Sequence, residues 1–201
     1  MNFSFLFLVF SSILIPSLTL AQQNQTETPG MKTRIERSLQ MKETVVVSEK
    51  EIGDASGAFF SLARNKATVY VYAMETFPFS KPSERSFGLR FLTLLEDKST
   101  KRVESFNTYV DVEDVDELVS ISKNLMAYNG KNATFPALGT TATLKNGMQV
   151  GVYRMPKDKK MRFMLGKENG IIGAAEIDAD DFVELLEEAK KELDIASANY
   201  R

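Results

Sequence analysis

The 201-residue sequence contains no cysteine, no histidine and no tryptophan. Without cysteine it cannot form a disulfide, so its stability must come from a packed core. Without histidine and cysteine it cannot build a Ser-His-Asp or Cys-His nucleophile, a Cys/His zinc site, or a haem ligand of either kind. We therefore expect no metal, no cofactor and no enzyme of those classes. Carboxylates, Lys, Tyr, Ser and Thr are left to carry any chemistry.

Long apolar runs are also scarce. The longest near the start, Phe5 to Phe10, is far shorter than the about 18 residues that a transmembrane helix needs. The apolar stretch from Phe3 to Leu20 leads into Thr19-Leu20-Ala21, whose small residues Thr19 and Ala21 are typical of a signal peptide cleaved after Ala21. No Lys or Arg precedes this stretch, so an uncleaved membrane anchor remains the alternative. The sequence thus predicts a secreted or periplasmic protein.

Two helices stand out by their apolar spacing. Asp178 to Asp194 predicts an amphipathic helix with Asp178 as N-cap and Asp181 as its capping-box partner. Asp111 to Met126 predicts a second helix, with Asp111 capping it in the same way. The predicted buried faces are Val115, Leu118, Val119, Ser122, Leu125 and Met126 in one helix, and Phe182, Leu185, Leu186, Ala189 and Leu193 in the other.

The rest of the chain is mostly strand-like, and the whole predicts an α+β fold. The two helices align at an offset of 67 residues, which indicates tandem antiparallel β-meander-plus-helix units, each helix covering its own sheet, in one domain with pseudo-twofold character. Met31 to Gln40 could be a short helix or an extended arm, and Glu75 to Phe87 predicts the longest loop. The predicted division is a signal peptide at 1–21, a disordered or loosely structured linker at 22–43, a first unit at 44–128, a linker at 129–139, a second unit at 140–195 and a tail at 196–201.

Charge is divided between these elements. The helical segments 111–126 and 177–201 are acidic, whereas the strand region 127–176 is basic. A basic surface with aromatic side chains attracts anionic ligands, although charged turns can serve only to keep sheet edges soluble. The candidate anionic-ligand surface consists of Lys157, Lys159, Lys160, Arg162, Lys167, Tyr153 and Phe163, with Tyr70, Tyr72 and Phe91 as further aromatic members.

Over Thr44 to Asp194, the order of elements resembles that of the PUR-repeat and Whirly families, which also repeat a strand meander followed by a helix. The Lys-Gly-Lys-Ala-Ala-Leu motif of plant Whirly proteins is not present, so the layout alone carries the resemblance. It implies single-stranded nucleic-acid binding on the sheet and assigns no site residues. The predicted leader favours a partner outside the cytoplasm, since a shared layout does not imply a shared function.

The leading hypothesis is an exported, non-catalytic protein that binds an envelope or extracellular partner through its sheet face or through the groove between its units. Nucleic-acid binding is the first alternative. The second is a carboxylate-based hydrolase, which needs two facing acids about 5 to 9 Å apart. The acidic clusters at 111–114 and 178–181 predict helix caps and not calcium loops, because neither has the glycine at its sixth position that an EF-hand requires.

Overall fold

The computed structural model describes residues 33–58, 65–127, 139–144, 148–154, 161–167 and 170–200. Only the backbone is described at 58, 65, 139–140, 153–154, 161–167 and 170–176. The elements are α1 (Arg34–Leu39), β1 (Val45–Ala58), β2 (Asn65–Pro78), β3 (Ser86–Asp97), β4 (Arg102–Asp111), α2 (Val112–Ala127), β5 (Gly139–Thr143), β6 (Met148–Arg154), β7 (Met161–Lys167), β8 (Gly170–Asp178) and α3 (Ala179–Ala198).

The strands form one curled antiparallel sheet, which confirms the predicted α+β class. Its eight strands lie in the order β4-β3-β2-β1-β8-β7-β6-β5. Two meanders, β1 to β4 and β5 to β8, meet where Gly57 pairs with Ile177 and Ala58 with Glu176. The predicted loop at 75–87 is shorter than expected, because β2 continues to Pro78 and β3 already begins at Ser86.

The first four strands show why one face of the sheet is buried. Along β2, Val69, Val71 and Ala73 point to one face and are buried, whereas Tyr70 and Tyr72 point to the other and are half-buried. This period-two alternation is what a sheet with one covered face requires. We call the covered side the inner face and the side that carries Tyr70 and Tyr72 the outer face.

Both long helices pack on the inner face as the apolar spacing predicts. In α2, Val115, Leu118, Ser122 and Leu125 are buried; in α3, Ala179, Phe182, Leu186, Ala189, Leu193 and Ser197 are buried. Leu185 is partly buried against the same core. The helices run antiparallel, since Lys190 pairs with Asp116 at 3.2 Å and Lys123 pairs with Glu187. Helix α3 also extends beyond the predicted end at Asp194, to Ala198.

The prediction that each helix covers its own sheet is wrong for α3. This helix follows β8 but lies across β1, β2 and β3 as well as β7 and β8. Its Phe182 ring lies 6.1 Å from the ring of Phe91 in β3, measured between centroids. Leu185 packs directly over Gly53 in β1. The two halves therefore share one core, because a single curled sheet has one inner face on which both helices must be buried.

The two predicted helix caps have different outcomes. Asp178 is the N-cap of α3, and its side chain accepts a hydrogen bond from the Asp180 N–H at 3.1 Å. Asp111, which the sequence assigns to α2, instead accepts the N–H groups of Arg34 and Ile35 in α1, at 2.7 and 3.3 Å. A carboxylate at the end of a strand can satisfy whichever helix N-terminus lies beside it, and here that helix is α1.

Helix α1 lies within Met31 to Gln40, so of the two alternatives for that stretch, a short helix or an extended arm, the structure has the helix. Residues 22–32 of the predicted linker lie outside the described residues. Thr33 and Glu36 form a reciprocal capping box at its start. Ile35 is fully buried against the outer face, where it contacts Gly88 of β3. A six-residue helix has little stability of its own, so this contact and the Asp111 hydrogen bonds hold it in place.

The halves share an element order of four strands and one helix. The strand-to-helix junctions at Asp111 and Asp178 fall 67 positions apart, at the offset seen in the sequence. The sheet joins the first strand of one half to the last strand of the other. A twofold axis perpendicular to the sheet would place equivalent strands of the two halves side by side at the junction. A twofold axis parallel to the axis around which the sheet curls is compatible with the observed junction of β1 with β8. The pseudo-twofold relation remains a prediction.

Candidate binding groove and sheet face

A groove lies between α3 and the first meander. It has a volume of about 290 Å³. Its lining comes from β1, β2, β3 and the last turns of α3, and therefore from both halves of the chain. The lining residues are Ser48, Glu49, Lys50, Ala73, Met74, Glu75, Phe87, Glu192, Leu193, Ala196, Asn199 and Tyr200.

The groove lies along an open strand edge. Because β1 pairs with β8 only at Gly57 and Ala58, no described strand pairs with Val45 to Glu51 on the edge of β1 that faces away from β2. The side chains from Val47 to Glu51 are all exposed, as expected at an edge. A register shift between Glu51 and Gly53 ends this segment. An edge strand presents a row of unpaired N–H and C=O groups that can accept another strand.

An arginine sandwich stands beside the groove, which it reaches through the lining residue Tyr200. The guanidinium carbon of Arg85 lies 4.0 Å from the centroid of Phe77 and 4.2 Å from that of Tyr200. Tyr200 also meets Phe87, with centroids 5.8 Å apart and planes inclined by 39°. Arg85 donates to Glu75 at 2.8 Å, and its buried Nε has no hydrogen-bond partner. Guanidinium stacking of this kind fixes the otherwise exposed Tyr200 over the groove.

The rim of the groove carries charge of both signs. Lys50 of β1 pairs with Glu192 of α3 at 2.6 Å, which ties the strand edge to the helix. The floor is apolar and formed by Ala73, Phe87 and Leu193. An apolar floor with polar groups at the rim is a common arrangement in binding sites, and the volume of this groove is close to the lower limit of about 300 Å³ for ligand pockets.

The outer face of the first meander carries a second polar arrangement. Glu51, Tyr72, Arg90 and Tyr109 stand opposite one another on β1, β2, β3 and β4, and so form one row across the sheet. The Arg90 guanidinium lies 4.4 Å from the Tyr72 centroid. It also donates to Glu49 at 2.7 Å and to Asn107 at 3.3 Å.

This packing changes the acidity of both tyrosines in the row. Burial first, and then the charge of Glu51, raises the pKa of Tyr72. Burial is also the main reason that the pKa of Tyr109 is raised, and the nearby Arg90 opposes it. Both phenols therefore remain neutral hydrogen-bonding groups at physiological pH.

The sequence-predicted anionic-ligand surface lies largely outside the description. Lys157, Lys159 and Lys160 fall outside the described residues. Only the backbones of Tyr153, Arg162, Phe163 and Lys167 are described: Tyr153 pairs with Arg162, and Phe163 with Val152, between β6 and β7. The binding of an anion by this group therefore remains a prediction.

The other aromatic residues assigned to that surface do not share one face. Phe91 lies on the inner face, where it is buried against Phe182, so its assignment to a ligand surface is wrong. Tyr70 and Tyr72 do lie together on the outer face, but the β1 residues beside them are the acids Glu51 and Asp54. The face that carries the two tyrosines is thus acidic at this point and does not favour anions.

No local pattern in the sequence marks the residues of the groove and its neighbouring arginine sandwich as a group. Phe77, Arg85 and Tyr200 meet in space, yet Tyr200 lies far along the chain beyond the predicted end of the last helix. The open edge of β1 could not be predicted from the sequence. Only the strand order and pairing show that β8 pairs with β1 at two residues, Gly57 and Ala58, and with none of the rest of β1. The charged run Glu49-Lys50-Glu51 is the one local signal, since edge strands often carry charge.

Two further properties concern the described residues only. Among them, no group of three or more Asp, Glu, His or Cys side chains could hold a metal ion. None of the described helices is both long and apolar enough to cross a membrane.

By architecture this is an α+β protein in which one curled antiparallel sheet carries two long helices on its inner face. Comparison with protein families and with curated proteins finds no match for the chain.

Proposed function

We propose that this is an exported, non-catalytic binding protein that takes an extended peptide segment of a partner along the open edge of β1. The observation that carries the proposal is the coincidence of two features: the edge of β1 from Val45 to Glu51, to which no strand in the described part of the chain is added, and a groove beside it walled by α3. Strand addition supplies affinity through main-chain hydrogen bonds, and pockets for alternate side chains supply specificity.

The groove indicates which side chain the peptide presents. Its volume of about 290 Å³ and its floor of Ala73, Phe87 and Leu193 suit one aromatic or large aliphatic side chain. Each of the three acids that line this space is paired with a basic side chain, so their charge is balanced at the rim: Glu192 with Lys50, Glu75 with Arg85 and Glu49 with Arg90. We therefore propose an uncharged anchor residue, flanked by an extended backbone.

The alternatives from the sequence have less support on the described surface. Phosphate groups would meet Glu49, Glu51 and Asp54 beside Tyr70 and Tyr72, so this part of the sheet opposes a nucleic-acid backbone. For a hydrolase, the acids at the groove would have to be available, but Glu75 and Glu192 each pair with a basic side chain. A single-strand binding assay titrated with salt, and a hydrolase activity screen, test these two alternatives.

The binding experiment uses peptide probes of eight residues in which Thr alternates with Phe or Val. Isothermal titration should show binding to the protein, whereas a probe of the same sequence with alternate amides N-methylated should not bind, because it cannot complete a ladder. In the protein, Ala196→Leu should weaken binding at least tenfold by filling the groove. Ala198→Leu is the matched control on the same helix, since Ala198 is exposed and outside the groove lining.

Equal affinity for the plain and N-methylated probes would refute strand addition. Equal affinity of the native protein and Ala196→Leu would refute the groove as the anchor site. Export is tested separately, by expressing the full chain and measuring the mass of the product outside the cytoplasm. A first residue of Gln22 supports cleavage after Ala21, and a full-length membrane-bound product contradicts it.

A further inference from the structure

Large apolar side chains are exposed around one end of the sheet, where β1 begins and β2 ends. Phe79 is 71% exposed, Val47 45%, Met41 44% and Leu39 38%. These are four of the seven large apolar side chains that are exposed in the described part of the chain, so exposed apolar surface is concentrated here. We call this group of four residues the apolar end.

The backbone brings the four residues of the apolar end together. The N–H of Phe79 donates to the carbonyl oxygen of Thr44 at 2.8 Å. Leu39, Met41 and Val47 all lie within five residues of Thr44 along the chain. The apolar end is therefore one region, built from the last turn of α1, the start of β1 and the residue that follows β2.

The charge around the apolar end is positive. Arg37 and Lys42 are exposed, and neither forms an ion pair with another described residue. Glu43 is the acid beside them, whereas Lys81 and Glu84 pair with each other at 3.0 Å. The region thus has an excess of positive charge, although the whole chain has a formal net charge of -2.

This combination of side chains is complementary to a lipid surface. Apolar side chains grouped on a protein surface mark a site that another molecule covers. A bilayer takes up apolar side chains at the boundary of its acyl chains, and its anionic headgroups attract Lys and Arg beside them. The stems of Arg37 and Lys42 can lie along the apolar region while their charges remain at the headgroups.

The order of segments along the chain agrees with this occupant. Helix α1 is the first described element, and residues 21–32 separate it from the apolar stretch Phe3 to Leu20. These residues span at most about 40 Å, which is about the thickness of a bilayer with its headgroups. Both alternatives for the stretch, a signal peptide and a membrane anchor, bring the chain to a membrane, and α1 is the described element nearest to it in sequence.

We infer that the apolar end is a docking site for an anionic lipid bilayer, with Phe79, Leu39 and Met41 inserted below the headgroups. Arg37 and Lys42 lie at the headgroups and pair with anionic lipid. None of the residues of the apolar end lines the groove, so the inference does not rest on the proposed peptide site.

The test uses the absence of tryptophan from the chain. Phe79→Trp supplies a single reporter at the apolar end. Val103→Trp supplies a matched reporter at the opposite end of the sheet, since Val103 is 61% exposed and stands level with Lys66 at the start of β2. With vesicles of phosphatidylcholine and phosphatidylglycerol, the emission at position 79 should shift to shorter wavelength and be quenched by brominated lipid. The emission at position 103 should not change. Because the readout is local, attachment of the chain through residues 3–20 cannot produce this difference.

Charge variants in the Phe79→Trp protein test the role of anionic lipid. Arg37→Gln and Lys42→Gln should each lower the affinity for these vesicles by about fivefold, as expected for one basic side chain at an anionic surface. Arg102→Gln removes an exposed positive charge beside Val103 and should leave the affinity unchanged. Vesicles of phosphatidylcholine alone should bind more weakly.

Three results would overturn the inference: no shift at position 79 with vesicles, an equal shift at position 103, or an equal loss of affinity in Arg102→Gln and Lys42→Gln. A shift at position 79 that appears without lipid and grows with protein concentration would also overturn it, because a second copy of the chain would then cover the apolar end.

Discussion

The packing of α3 on β1 predicts that Gly53→Ala changes the free energy of unfolding in a direction that depends on the side chain of Leu185. A Cβ added at Gly53 would lie 2.7 Å from Cδ2 of Leu185, well inside normal contact distance. Overpacking of this kind costs about 1–3 kcal/mol. Replacing a glycine within a strand also returns about 0.5–1 kcal/mol, because the unfolded chain loses conformational freedom. Gly53→Ala should therefore destabilise the protein by about 1 kcal/mol.

Shortening Leu185 removes the side chain that the methyl group added at Gly53 would meet. Leu185 is only partly buried, so Leu185→Ala should cost about 1–2 kcal/mol, below the range for a fully buried leucine. In that background the added methyl meets no side chain, and Gly53→Ala should become stabilising by about 0.5 kcal/mol. The coupling energy of the double-mutant cycle is then about 1.5 kcal/mol, within the range measured for residues in contact.

Urea unfolding followed by far-UV circular dichroism measures the free energy of unfolding of the native protein, the two single variants and the double variant. For a chain of this size, 1 kcal/mol corresponds to about 2–4 °C in Tm, so thermal scans give an independent reading. If the two substitutions are additive, Leu185 does not lie over Gly53, and the assignment of α3 to the first meander is wrong.

Gly88→Ala should behave differently from Gly53→Ala. Its Cβ would overlap the carbonyl oxygen of Val110, which is backbone, so the loss of about 3 kcal/mol should persist when Ile35 is shortened to Ala.

Three further predictions concern charges. Asp97 accepts the N–H and hydroxyl of Ser99 in the β3–β4 turn, and its pKa is lowered to about 2. Its stabilising effect is therefore full above pH 4 and lost as pH falls through 2, so Asp97→Asn should lower the Tm at pH 7 but not at pH 2. Asp111→Ala should cost about 0.5–2 kcal/mol, as removal of a helix cap does, and hydrogen exchange should quicken at Arg34 and Ile35. Lys190→Ala should change stability by less than about 1 kcal/mol, because its ion pairs are exposed; a larger loss would refute this estimate.

The elements that the sequence predicted well are those whose signals are local. The apolar spacing of α2 and α3 fixed their buried faces, and the cap at Asp178 placed the start of α3 correctly. Along β2, the alternation of Val69 and Val71 with Tyr70 and Tyr72 in the sequence matches the two faces of the strand in the structure. In each case burial against one partner layer is enough to impose the pattern.

The errors concern contacts between residues far apart in the chain. Asp111 looked like the cap of the helix that follows it, yet a carboxylate bonds to the nearest unsatisfied N–H groups in space, and those belong to α1. Phe91 alternates correctly for a strand, but only the position of α3 shows that its face is covered by Phe182. The groove could not be predicted, since it requires both the strand order and the length of α3. The basic hairpin end around Lys157 remains untested.

The crossing of α3 onto β1–β3 sets the order in which this chain can become native. Strands β1 to β3 are synthesised long before residues 179–198 exist, and until those arrive Phe91 and the inner face of β2 lack the cover that α3 provides. Contacts so distant along the chain slow the search for the native state. Fragments that stop short of α3 should therefore aggregate, and the finished molecule should fold as one cooperative unit.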